Sequence, residues 1–231
     1  MDIGYLTSDA AKYPSKDWKK VIILGMLSLL SFLIVPGFLT MGYLFRALKW
    51  SIAGVDDLPD FDEWGEMFVD GFKVFVVQLA YFIVPAVILF LSVWASIGSL
   101  LALQSVGDVT VPTTVFSLMG GLFFLGVIVS VIFGVFFTIA LANMAYYNGE
   151  IRAAFRFHEI TDRIAAIGWV DLIIWYVMMM IIGLGIGFVA SILFFIPILG
   201  WILIILIIYP YLYLLYARAL GLLFVSGFEK Q

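Results

Sequence analysis

The chain has no cysteine and one histidine. The first absence removes disulfides, thiolate metal sites and a cysteine nucleophile. Charged side chains make up 12% of the residues against 65% hydrophobic, where soluble domains carry about 25% charged and about 45–50% apolar residues. A soluble core cannot absorb that much apolar surface, so lipid is the expected solvent. A formal charge of −4 argues against nucleic acid as a partner. Charge is also scarce inside the long apolar runs. Lys73 and Asp171 sit near the starts of such runs, Arg46 and Arg218 near the ends, and Gln78 and Asn143 are the main polar groups within them. Ion-coupled and proton-coupled carriers keep ionisable groups at mid-bilayer, so this scarcity speaks against such a transporter and against an intramembrane hydrolase.

What is present is a series of apolar runs. A helical span needs about 20 apolar residues. Segments 72–103, 113–146, 169–195 and 198–220 qualify, and a fifth, 21–48, is interrupted by Pro36-Gly37. Backbone polar groups in lipid must be satisfied within the segment, so each is expected to be helical. Pro85 and Pro210 predict kinks, because proline removes a helix donor. The IPILGW stretch at 196–201 reads as a tight turn. The expected fold is an all-α integral membrane bundle of about five segments, with residues 1–20 an N-terminal interfacial segment and 21–231 a single transmembrane domain.

Two stretches are neither spans nor plain loops. Residues 56–71 read DDLPDFDEWGEMFVDG and hold seven carboxylates, Asp56, Asp57, Asp60, Asp62, Glu63, Glu66 and Asp70, with no Lys or Arg. Phe61, Trp64, Met67, Phe68 and Phe72 recur at helical steps, with Asp60 a candidate N-cap and Glu63 its capping-box partner. Residues 150–168 carry an apolar stripe of Ala153, Phe157, Ile160, Ile164 and Ile167 beside Arg152, Arg156, Glu159 and Arg163. Glu159 and Arg163 are spaced for an i,i+4 ion pair. Both stretches are expected to be amphipathic helices lying at the membrane interface. FDEW at 61–64 and FHEI at 157–160, each between two apolar segments, suggest an internal duplication with halves 37–103 and 113–195 and a closing helix at 198–220.

Lys and Arg gather on the cytoplasmic side of membrane proteins. The connections at 104–112 and 196–200 carry none, whereas the elbows carry Arg46, Lys49, Lys73, Arg152, Arg156 and Arg163, and the C-terminal end carries Arg218 and Lys230. Both elbows and the C-terminus are therefore expected to be cytoplasmic. If 21–48 crosses once, Lys12, Lys16, Lys19 and Lys20 lie outside; if it turns back at Pro36-Gly37 as a re-entrant hairpin, all 12 basic residues share one side. The charge partition favours the hairpin.

The candidate chemistry is thin. His158-Glu159-Ile160-Thr161-Asp162 has part of the spacing of a helical zinc motif, but no second histidine exists. The seven carboxylates of 56–70 read as a solvated face, with docking of a basic partner as the functional alternative. Gly126, Ser130, Gly134, Thr138 and Ala142, and then Gly183, Gly187 and Ser191, form four-residue ladders of the kind that lets helices approach in lipid. They are expected to serve packing within the chain, or else a homodimer seam. The aromatic ends, with Trp50, Trp64, Trp169, Trp201 and Tyr209, Tyr211 and Tyr213, fit interfacial belts.

PGFLTMGYLFRALKW, followed by DDLPDFDEWGEMFVDGFKVF, resembles the archaeal membrane-protein family catalogued as domain of unknown function 4013, and AAFRFHEI at 153–160 resembles its second block. The resemblance implies membrane location and archaeal origin. It brings no activity, substrate, cofactor or catalytic residue. The expected function is that of a non-enzymatic scaffold or assembly protein, with membrane lipids and other membrane proteins as partners and no cofactor. The alternative is a facilitator or binder of an apolar or lipid-like solute.

Overall fold

The computed structural model describes residues 3–106 and 113–228, and no strand occurs among them. The helices are α1 (Ile3–Lys12), α2 (Trp18–Leu29), α3 (Ile34–Ile52), α4 (Trp64–Val106), α5 (Thr113–Tyr146), α6 (Phe157–Ile167), α7 (Trp169–Phe194), α8 (Leu199–Leu203) and α9 (Tyr209–Ser226). Short 3-10 turns cover Tyr13–Lys16 and Ile151–Phe155. Four stretches are long and apolar enough to cross a membrane: Trp64–Ala95, Gly120–Tyr146, Trp169–Phe194 and Leu199–Ser226. Residues 107–112 of the expected 104–112 connection, and Lys230, lie outside the described residues.

The fifth expected segment is two helices. α2 and α3 pack on each other, and the chain reverses between Leu29 and Ile34. Pro36 is not the break. It stands in the first turn of α3, where backbone N–H groups have no intrahelical acceptor anyway. The first elbow differs as well. It is an irregular loop over residues 53–63, after which α4 runs unbroken through Gly71. Asp60 does not cap α4. The Glu63 carbonyl accepts from Met67 N–H at 3.0 Å, with Glu63 at φ 46°. The second elbow is a separate helix, α6. It ends at Gly168, whose φ of 95° lies where residues with a Cβ rarely go, and α7 starts at once.

The chain divides into two compact units, Met1–Val77 with Ile139–Gln231, and Gln78–Thr138. In the first, glycines set the helix spacing. A Cβ on Gly42 of α3 would fall 1.8 Å from the Met67 carbonyl oxygen of α4, and one on Gly71 of α4 would fall 1.8 Å from that of Phe38 on α3. The two glycines thus admit each other's helix from both sides. Gly221 of α9 takes the Ser51 side chain of α3, and Gly25 of α2 lies on the Leu206 backbone. Leu206 belongs to a π-helical turn, Ile204–Ile208, just before Pro210. Proline has no N–H for the carbonyl four residues back, and the helix accommodates this by widening. Lipid provides little hydrophobic drive between helices, so such close backbone approach is what holds them. Tyr13, Val21, Leu24, Tyr43, Ala47, Leu58, Met67 and Leu214 form a buried cluster. α7 is tied to α9 by two hydrogen bonds, Trp175 Nε1 to the Ala219 carbonyl at 3.2 Å and Tyr216 Oη to that of Met179 at 3.0 Å.

The second unit holds α4 from Gln78 onward and α5 up to Thr138. Gly126 receives Leu89, and Phe137 meets Tyr81 and Phe82 edge-on. α4 stays helical through Pro85.

Candidate functional site

The acidic loop is built with its backbone inward and most of its carboxylates outward. Leu58 and Pro59 are buried, while Asp56, Asp57, Asp60, Asp62, Glu63 and Glu66 are exposed. One carbonyl after another accepts a hydrogen bond from a side chain on a different element. Arg218 Nη1 donates to Val55 at 2.9 Å, Lys16 Nζ to Asp56 at 2.9 Å, Tyr13 Oη to Asp57 at 3.2 Å and Lys20 Nζ to Leu58 at 2.6 Å. Tyr43 Oη donates to Pro59 at 2.9 Å, and Arg46 Nη1 to Asp60 and Asp62 at 3.3 and 3.1 Å. An irregular backbone has no ladder of its own, so side chains must satisfy it. Tyr43 and Arg46, three residues apart on α3, share the face that reaches it.

The same cations hold the carboxylates. Arg218, only 4% exposed, binds Asp9 of α1 at 2.7 Å through Nε and Asp56 at 2.5 Å through Nη2. Lys20 binds Asp60 at 2.8 Å, and Arg46 binds Asp62 at 2.6 Å with Glu63 at 3.6 Å. Asp70, 13% exposed, takes Lys49 at 2.7 Å and Lys73 at 3.3 Å on separate oxygens. The expected solvated face is therefore a lid over buried cations. Lys20, Arg46 and Arg218 lie under it, each more than four-fifths shielded, while Asp56, Asp60, Asp62 and Glu63 are each more than 60% exposed. Among the described residues Asp57 and Glu66 pair with no cation. Phe61 stacks on Tyr43 at 4.0 Å.

Burial raises the Tyr13 phenol to about 12 and raises Tyr43 as well. Both therefore stay protonated and donate. The hydrogen bond from Lys20 holds the Asp60 carboxyl below its ordinary range.

The second elbow pairs differently from its expected i,i+4 pattern. Glu159 binds Arg156 at 3.3 Å, not Arg163, and Arg156 also reaches Glu150 at 3.2 Å. Arg163 instead lies 3.4 Å over the Phe228 ring. Buried Asn143 donates to the Ala153 carbonyl at 2.9 Å and to Glu159 at 3.3 Å, which pins the elbow to α5. Ile160, Ile164 and Ile167 are buried, whereas Phe157 is exposed. His158, 93% exposed, lies 3.6 Å from Asp162. No group of three metal-ligating side chains occurs among the described residues.

The small-residue ladders are only partly occupied by neighbours. Ser130 and Thr138 return their hydroxyls to the Gly126 and Gly134 carbonyls of their own helix, as Ser191 does to Phe188. Ala142 is buried. Gly183 faces the Tyr216 hydroxyl, but a Cβ on Gly134 or Gly187 meets nothing within 4 Å. The closest backbone approaches fall at Gly25, Gly42, Gly71 and Gly200, which lie outside the ladders.

Two cavities flank these elements. One, of about 480 Å³, is apolar and lined by Leu29, Pro197, Ile198, Trp201, Ile202 and Ile205. The other, of about 310 Å³, is polar and lies beside Lys49, Asp70 and Lys73.

These features define a helical membrane protein whose first unit carries a polar cap, the acidic loop with its cations beneath. The chain belongs to the family described as Protein of unknown function (DUF4013), whose match covers residues 27–195. No curated protein and no solved structure matches it.

Proposed function

We propose that the chain is a non-enzymatic scaffold or interaction protein of the cell membrane, with its polar cap on the cytoplasmic side as the contact surface. The observation that carries this reading is the sorting of charge in the cap: cations beneath, carboxylates above. A basic segment approaching the loop meets Asp56, Asp57, Asp60, Asp62 and Glu63 first. The polar groups available for chemistry, Asn143, Glu159 and Arg218, are spent on holding elements together. That favours a binding role over catalysis. The order of helix, elbow and long helix recurs across α3–α4 and α5–α7 and supports the duplication.

The re-entrant reading of α2 and α3 has support in length and contact. α2 has 12 residues, or about 18 Å of helix, short of a bilayer core of about 30 Å. The start of α2 and the end of α3 both touch the acidic loop, through Lys20 and Arg46. The N-terminus then shares a side with the elbows. A cysteine introduced at Ser15, in a chain with none of its own, should label from the cytoplasmic side together with one at Asp57. Labelling of the two positions from opposite sides would sink the hairpin.

Docking is tested at Asp57, which is exposed and unpaired among the described residues. Asp57→Lys should leave thermal unfolding within a degree or two, because an exposed charge contributes little to stability. It should weaken crosslinking to a basic partner in native membranes several-fold, and added salt should mimic it, since exposed charges are screened beyond about 10 Å at 0.1 M. An unchanged partner set in both comparisons would refute docking. It would also favour the second reading, a binder of apolar or lipid-like solutes, for which the Trp201-lined cavity speaks.

A further inference from the structure

The apolar cavity beside Trp201 lies at the end of the shorter arm of the α2–α3 hairpin. α2 stops at Leu29, about 18 Å from its start, in a bilayer core of about 30 Å. Pro197, Ile198, Trp201, Ile202 and Ile205 line the space beside that end. Two backbone clamps keep it from collapsing. Toward the acidic loop, Gly25 of α2 lies against Leu206, where a Cβ would fall 2.1 Å from the carbonyl oxygen. At the far end, Gly200 of α8 lies against Leu193 of α7, where a Cβ would fall 1.8 Å from the carbonyl oxygen, and Trp201 stacks on Phe194 at 4.8 Å. The walls cannot close in without breaking a clamp. Left empty, the space would deprive its lining side chains of dispersion partners on one side.

The rim is strained. Ile198 sits at φ 65° and ψ −60°, and Leu199 N–H donates to the Pro197 carbonyl at 2.7 Å. This is the rare, strained form of three-residue turn, and for a β-branched residue such a φ is an outlier. Little inside the chain offsets it, because Ile198 is 77% exposed. Strain of this kind gathers at ligand clamps. The volume of about 480 Å³ falls within the range of ligand sites, and the lining side chains carry no charge and no hydroxyl to orient a polar group. Most of the lining belongs to Leu199–Ser226, a stretch apolar enough to cross a membrane, so the solvent at its mouth is hydrocarbon. We infer that the cavity holds one hydrocarbon chain of a membrane lipid, which enters from the side opposite the acidic loop and fills the depth that α2 leaves uncovered. This names the ligand for the second reading above and rests on it, not on docking at Asp57.

The test is photocrosslinking of the full chain in phosphatidylcholine nanodiscs. These are doped either with a phosphatidylcholine carrying a diazirine in its acyl chain or with a long-chain alkane carrying the same group, and labelled peptides are quantified by mass spectrometry. The lipid should label Leu29 and residues 197–205 at least fivefold more than Leu184, Phe188 and Ile192 of α7, which are comparably exposed. Leu29→Trp fills the cavity and should cut labelling at 197–205 at least threefold while leaving the α7 residues unchanged. Should it fold poorly, Ile202→Trp serves in its place. Lipid labelling unchanged by the filling substitution overturns the site. Selective labelling of 197–205 by the alkane but not by the lipid overturns the lipid assignment and leaves the second reading, as a binder of free apolar solutes, standing. Labelling by neither probe above the level of the α7 residues sinks both.

Discussion

Gly42→Leu is expected to yield little folded protein, and what folds should melt at least roughly 6 °C lower. Even the first carbon of the new side chain would sit 1.8 Å from the Met67 carbonyl, an immovable backbone atom rather than a yielding side chain. α3 and α4 must then separate, and the matching contact at Gly71 opens with them. Overpacking ordinarily costs about 1–3 kcal/mol; displacement of two helix backbones places this case at the upper end or beyond. Gly71→Leu should act alike. Gly65→Ala in the same helix is the control, since a Cβ there meets nothing within 4 Å and alanine favours helix over glycine by about 0.5–1 kcal/mol. Thermal unfolding of the three variants in one detergent decides the matter. A Gly42→Leu protein as stable as Gly65→Ala would mean that α3 and α4 do not cross this closely. The same reasoning makes Gly134→Leu mild within a single copy of the chain, because its surroundings are open.

Arg218→Met should be the most damaging change among the charged residues. Arg218 ties α9 to α1 through Asp9 and to the acidic loop through Asp56 and the Val55 carbonyl. Removing a buried partner leaves the others unpaired, at about 3–5 kcal/mol for a fully buried pair. Asp56 is 67% exposed and can turn to water, and Asp9 is 21% exposed. The cost should therefore lie near the low end, on the order of 3 kcal/mol. Asp56→Asn should cost under about 1 kcal/mol by the same argument. Adding Asp9→Asn to Arg218→Met should recover part of the loss, because it removes the stranded carboxylate. Limited proteolysis offers a second readout: α1 should become accessible in Arg218→Met and stay protected in Asp56→Asn. Equal stability of Arg218→Met and Asp56→Asn would show that the three-way contact contributes nothing.

The acidic stretch illustrates how much of this was legible beforehand. Its position between apolar runs follows from composition. Its partners do not. Lys20 and Arg218 stand far from it in sequence, and only folding brings them beneath it. Arg218 gave one signal, as an ionisable residue at the edge of an apolar run, where a partner is expected. Gly42 and Gly71 gave none, since they belong to no ladder. The turn at 30–33 was also illegible. Leu-Ser-Phe-Leu has no glycine or proline, whereas Pro36-Gly37 carries the turn signal and sits inside a helix. Its place in the first turn, where backbone N–H groups have no intrahelical acceptor, makes that proline harmless.

The sequence by itself determined the solvent and the element type. Runs of about 20 apolar residues in a chain with 12% charge admit little but helices in lipid, because no water is there to satisfy an open backbone. Tertiary structure decided which glycines touch, which cations lie under which carboxylates, and that one apolar run folds back as two helices. Those outcomes depend on contacts between residues distant in the chain, such as Asp9 with Arg218 and Gly25 with Leu206. Periodicity records which face of a helix is apolar or small, but not which other helix comes to meet it.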